Sequence, residues 1–106
     1  MAGPKQRRLR LSPKAEQDLE NIWLYSADNW SADQADAYLD SLENTLQLLS
    51  TSPELARERS EFDPPVRIYP VGRHLVIYRE HGDSLDVLRV LGARQDWISV
   101  LRMLDQ

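Results

Sequence analysis

Apolar residues recur along this chain with two different periods, and the change of period divides it. Ala15, Leu19, Ile22, Trp23, Ser26 and Trp30 fall at steps of three and four with one adjacent pair, which puts them on one stripe of a helix, while Glu16, Asp18, Glu20 and Asp28 take the other side. Ser12 before Pro13 predicts where that helix starts, because the hydroxyl can accept from a free first-turn N–H and proline has none to waste. Ser31 and Gln34 repeat such a start with capping-box spacing. Ala35, Tyr38, Leu39, Leu42, Leu46 and Leu49 then carry a second stripe, which stops between Ser50 and Pro53. So short a link at Trp30 and Ser31 predicts an antiparallel helical hairpin.

From Val66 the period becomes two. Val66–Pro70, Leu75–Arg79 and Leu85–Leu91 are rich in β-branched and aromatic residues and are separated by breaks centred on Gly72 and Gly82, which predicts a three-stranded antiparallel meander. A short strand is expected earlier, at Arg8–Leu11. A terminal helix is expected after Asp96, with Trp97, Val100, Leu101 and Leu104 on its apolar side. Pro53 to Pro65, with three prolines, reads as a connecting loop with room for one helical turn. The fold class is therefore α+β: a helical hairpin lying on one face of a sheet of about four strands, in one domain spanning residues 1–106.

The strands are apolar on both faces. Simple alternation puts Leu88 and Val90 on one side of the last strand and Val87 and Leu91 on the other; in the strand before it, Val76 and Tyr78 oppose Leu75 and Ile77. One helical layer covers only one face. The pattern leaves two explanations open: an apolar patch kept for a partner, or central strands that cross the core on both sides.

Charge restricts the partner. Residues 1–11 hold four basic groups and no acid, residues 12–65 hold twelve acids against Lys14, Arg57 and Arg59, and residues 66–106 hold six arginines and five acids. A surface that grips nucleic acid broadly needs a continuous basic face, and over half of this chain has the opposite sign. Sequence-specific nucleic-acid binding by this chain alone is not expected. The absence of cysteine removes thiolate and disulfide chemistry and fits the cytoplasm, and no window approaches a membrane span. With two histidines seven positions apart and no nucleophile elbow, phosphate loop or zinc-binding helix motif, neither metal nor cofactor is expected.

Several segments, in order and spacing, resemble the ParE branch of the RelE/ParE toxin superfamily over about Leu9 to Asp96. They are Leu11-Ser12-Pro13 with Ala15, Asp18-Leu19 and Ile22-Trp23; Ala35 through Tyr38; Ser52-Pro53; Arg67 and Tyr69-Pro70-Val71-Gly72-Arg73-His74; Ile77-Tyr78-Arg79; and Val90-Leu91-Gly92-Ala93-Arg94-Gln95-Asp96. The resemblance implies the toxin half of a type II toxin-antitoxin system of the plasmid-stabilisation kind. It also implies a ParD-like antitoxin that wraps the toxin, and a target, often DNA gyrase, inhibited by binding.

On that reading the antitoxin lays an amphipathic segment where the uncovered sheet meets the hairpin. The candidate contacts are Trp23, Leu75, Ile77, Tyr78 and Val87, with Arg67, Arg79 and Arg89 pairing acidic groups at the rim; plain core packing is the competing role for each apolar member. Arg94, Trp97 and Ile98 are the candidates for target contact, since Trp97 and Ile98 are adjacent on a helix and diverge. Two other functions stay open. A RelE-like ribosome-dependent mRNA endonuclease would need a proton donor, a base and cations around a phosphate, for which Arg73, His74, Arg79, Arg89 and Arg94 are part of a set; Trp97, which cannot exchange protons at neutral pH, stands where such enzymes commonly carry a tyrosine. The third is a non-toxic interaction domain of the same fold.

Overall fold

The computed structural model describes residues 6–103. Strand β1 (Arg8–Leu11) leads into helices α1 (Pro13–Asn29) and α2 (Ala32–Thr51), then a 3-10 turn at Pro53–Leu55. Strands β2 (Glu58–Arg59), β3 (Val66–Val71), β4 (His74–His81) and β5 (Ser84–Gly92) follow, and then α3 (Trp97–Met103). The sheet order is β1-β5-β4-β3-β2; β1 runs parallel to β5 and every other pairing is antiparallel.

Both expected caps form. Ser12 Oγ accepts from the Ala15 N–H at 2.9 Å, and Ser31 Oγ accepts from the Gln34 N–H at 3.0 Å. Asp96 caps α3, accepting from both the N–H and the hydroxyl of Ser99. Leu104, assigned to the apolar side of that helix, lies outside the described residues.

The hairpin covers one sheet face. Ala15, Ile22, Leu42, Leu46 and Leu49 meet Val76, Tyr78, Leu85, Val87 and Val90 in the main core. Tyr78 is fully buried, and its hydroxyl donates to the Pro53 carbonyl at 2.7 Å, so the one polar atom of a large core residue is satisfied. Burial pushes its phenol up to about 12, which keeps it a donor throughout the physiological range.

Two features of the sheet differ from the expectation. Among the described residues the sheet has five strands, because the 53–65 segment supplies β2 as well as its helical turn. Alternation in β5 fails at a register shift: Ile77 faces Arg89 but Tyr78 faces Val87, leaving Leu88 as the extra residue of a bulge. Val87 therefore joins Val90 under the hairpin, and Leu88 joins Leu91 on the opposite side. The second face is partly covered. Phe62, from the proline-rich loop, and Leu101, from α3, pack there with Val66, Ile77 and Leu91.

Candidate functional site

The cover on the second face is incomplete. Between α3, the Phe62 loop and the start of α1 lies a groove of about 610 Å³, floored by Val66 and Leu88 and walled by Ser12–Lys14, Phe62, Pro64 and Leu101. Its walls are mostly apolar. The main charged group of the sheet within it is Arg79, half-buried on β4, whose Nε is shielded from solvent and has no hydrogen-bond partner among the described residues. A guanidinium N–H left without an acceptor in such a place is costly. An incoming carboxylate or carbonyl can meet only the part of the Arg79 side chain that opens on the groove, not this shielded N–H.

One wall of the groove is stiffened by a stack: Trp97 at the start of α3 lies 6.3 Å from Phe62, centroid to centroid, and the Arg59 guanidinium sits 5.9 Å from each ring. Arg59 is held in turn by Glu61 at 2.8 Å. The loop is thereby tied to α3.

The residues singled out from the sequence separate by where the fold places them. Ile77, Tyr78 and Val87 are fully buried and are core members, so the contact role expected for them is corrected: a partner could reach them only by opening the fold. Trp23 is half-buried away from the groove, where its Nε1 donates to Asp36 at 2.8 Å and joins the two hairpin arms. Arg67 and Arg89 are engaged internally. Arg67 donates to the Ala56 carbonyl and pairs with Glu80 at 3.2 Å, and Arg89 is held by Asp18 through two bonds of 2.7 and 2.8 Å, which raises its pKa above the ordinary value. Leu75 is half-buried on the second face beside the groove-lining residues, and Arg79 lines the groove itself. At the end of the chain Trp97 packs inward while Ile98 stays 41% exposed; Arg94 is exposed.

Phe62, Val66, Leu88 and Leu101 were not among the sequence candidates. The signal for Phe62 was an aromatic residue inside a proline-rich loop; Leu88 required the bulge, which periodicity does not show. At the far end of the sheet, Tyr38 Oη lies 2.6 Å from His74 Nδ1, accepts the Arg73 N–H at 3.1 Å and reaches the Val71 carbonyl, pinning the β3–β4 turn. Desolvation, aided by Arg73, lowers the His74 pKa from its ordinary value of 6.5.

Fold and groove together define a small two-layer α+β domain with a mostly apolar groove on one sheet face. Residues 9–97 match the family described as ParE toxin of type II toxin-antitoxin system, parDE. Toxin ParE1 of Mycobacterium tuberculosis is 38% identical over 90 residues, covering 84% of this chain and 92% of that protein. Toxin ParE1 of Caulobacter vibrioides is 33% identical over 82 residues, covering 77% and 84%. In the structure titled "Chromosomal ParDE TA system from P. aeruginosa" one chain superposes with a TM-score of 0.72 at 18% identity, over 82% of this chain and 96% of that one, so the fold is shared. The chain belongs to the ParE toxin family and is the toxin component of a type II toxin-antitoxin system.

Proposed function

We propose that this toxin works as a single domain, in the cytoplasm, by binding alone: a ParD-like antitoxin segment fills the groove on the second sheet face, and the free toxin inhibits DNA gyrase or a related target without covalent chemistry. The observation that carries the antitoxin site is Arg79, a half-buried arginine that lines a mostly apolar groove and forms no ion pair among the described residues. An amphipathic helix or extended segment with one acidic residue among apolar ones would bury Leu88, Phe62 and Leu101 and set a carboxylate against the part of Arg79 that lines the groove.

Binding rather than RNA cleavage is supported by where the polar groups sit. His74 is half-buried with its Nδ1 engaged by Tyr38, Arg89 is held by Asp18, and Trp97 offers no titratable group. The test measures the affinity of the neighbouring reading frame's C-terminal peptide for wild-type toxin and for Arg79→Ala, together with inhibition of gyrase supercoiling by the free toxin. Unchanged peptide affinity in Arg79→Ala removes the groove assignment, and unaided cutting of RNA by the purified toxin removes the binding mechanism.

A further inference from the structure

At the end of α1 away from the groove, two aromatic rings stay in water. Tyr25 is 62% exposed and Trp30 48% exposed; they meet edge to face with centroids 6.4 Å apart. The Arg73 guanidinium, from the β3–β4 turn, lies over the Trp30 ring at 5.2 Å. Packing of the core does not explain this arrangement, since neither ring joins either apolar cluster.

The patch is rigid at its base. Gly72 has φ +55 and its missing Cβ leaves the space that Tyr38 fills, so the turn carrying Arg73 is locked to α2. Arg94 stands close by, because the Ala93 N–H donates to the Arg73 carbonyl at 2.9 Å. Among the described residues neither the Arg73 nor the Arg94 side chain forms an ion pair. Exposed tryptophan, tyrosine and arginine on a fixed base are the residue types that dominate interface energies.

We propose that this hairpin tip, Tyr25 and Trp30 with Arg73 and the neighbouring Arg94, is the face by which the toxin holds its target, and that its occupant is a folded protein surface offering a carboxylate beside an apolar patch. This rests on the reading that the toxin acts by binding a protein. Unpaired guanidinium groups ask for carboxylate. A nucleic acid fits less well, because Asp28 and Asp33 lie exposed on either side of the same tip and would repel a polyanion at this range. The 17 residues of α1 place the tip about 25 Å from the groove, so antitoxin and target contacts are separable.

The experiment induces wild-type toxin, Trp30→Ala and Arg73→Glu in cells without antitoxin, and in parallel measures antitoxin co-purification and thermal unfolding of each full-length complex. Each variant should require about 30-fold more toxin for growth arrest, while binding antitoxin as wild type does. Arrest at the wild-type dose overturns the proposal, as does joint loss of toxicity and antitoxin binding in both variants, which would make the tip structural. Binding of a labelled poly-dT oligonucleotide that Arg73→Glu abolishes would also overturn it, in favour of nucleic acid. A wild type that arrests growth but leaves gyrase supercoiling intact excludes gyrase as the target; with both variants inactive it still supports the tip.

Discussion

Asp18 on α1 grips Arg89 on β5 with both carboxylate oxygens, and one of those oxygens also accepts the Val90 N–H at 3.0 Å. The pair is largely shielded from water and joins the helical layer to the sheet beside the bulge at Leu88. Removing one member leaves the other buried and uncompensated. Asp18→Ala or Arg89→Ala should therefore destabilise the fold by about 3–5 kcal/mol, and replacing both should cost less than the sum. Urea unfolding of the four proteins measures this; additive single losses would mean that the two residues act independently.

The two positive-φ glycines should differ. At Gly82 (φ +58) an added Cβ meets nothing within 4 Å, so alanine brings only backbone strain of about 1 kcal/mol. At Gly72 it lands 2.8 Å from Tyr38 Oη and 2.9 Å from its ring. Gly72→Ala should cost clearly more than Gly82→Ala, and Tyr38→Phe should not restore it, because the ring carbon still blocks the site. Equal melting temperatures for the two alanine variants would contradict this.

His74 makes stability depend on acid. Its folded pKa lies below the ordinary 6.5, so as pH falls through the unfolded value the unfolded chain takes up a proton that the folded chain resists. The contribution is fully present above 6.5 and is lost as pH drops from there to the folded pKa. Thermal unfolding between about pH 7.5 and pH 5 should show a steeper decline for wild type than for His74→Gln. Parallel profiles would locate the acid sensitivity elsewhere.

Arg79→Ala should weaken antitoxin binding about 10- to 100-fold. An arginine on an open rim would lose its value as salt is added, whereas one inside an apolar groove is screened less, so most of the loss should persist at about 0.5 M salt. Isothermal titration at two ionic strengths separates these cases; a loss confined to low salt would return Arg79 to the rim.

Ile98→Asp tests the end of the chain more cleanly than deletion. Removing residues 97–106 would strip Leu101 from the second cluster and a wall from the groove, confounding target and antitoxin effects. Ile98 is exposed, so the substitution should shift stability by less than about 0.5 kcal/mol. A fall in toxicity with unchanged melting would assign Ile98 to target contact, and full toxicity would leave α3 a structural cover.

Local chemistry is written in local spacing, and that part of the molecule was legible from the residues alone: the two capped helices, their hairpin link, the meander with turns at Gly72 and Gly82, and the divergence of Trp97 from Ile98. Contacts between distant segments are not. The bulge at Leu88 depends on how β4 and β5 pair, the burial of Ile77, Tyr78 and Val87 on layers above and below them, and the engagement of Arg89 on a carboxylate 71 residues away. An arginine looks the same in sequence whether a carboxylate waits for it or not, so only the folded chain separates Arg89, held by Asp18, from Arg79, which lines the groove with no ion pair among the described residues.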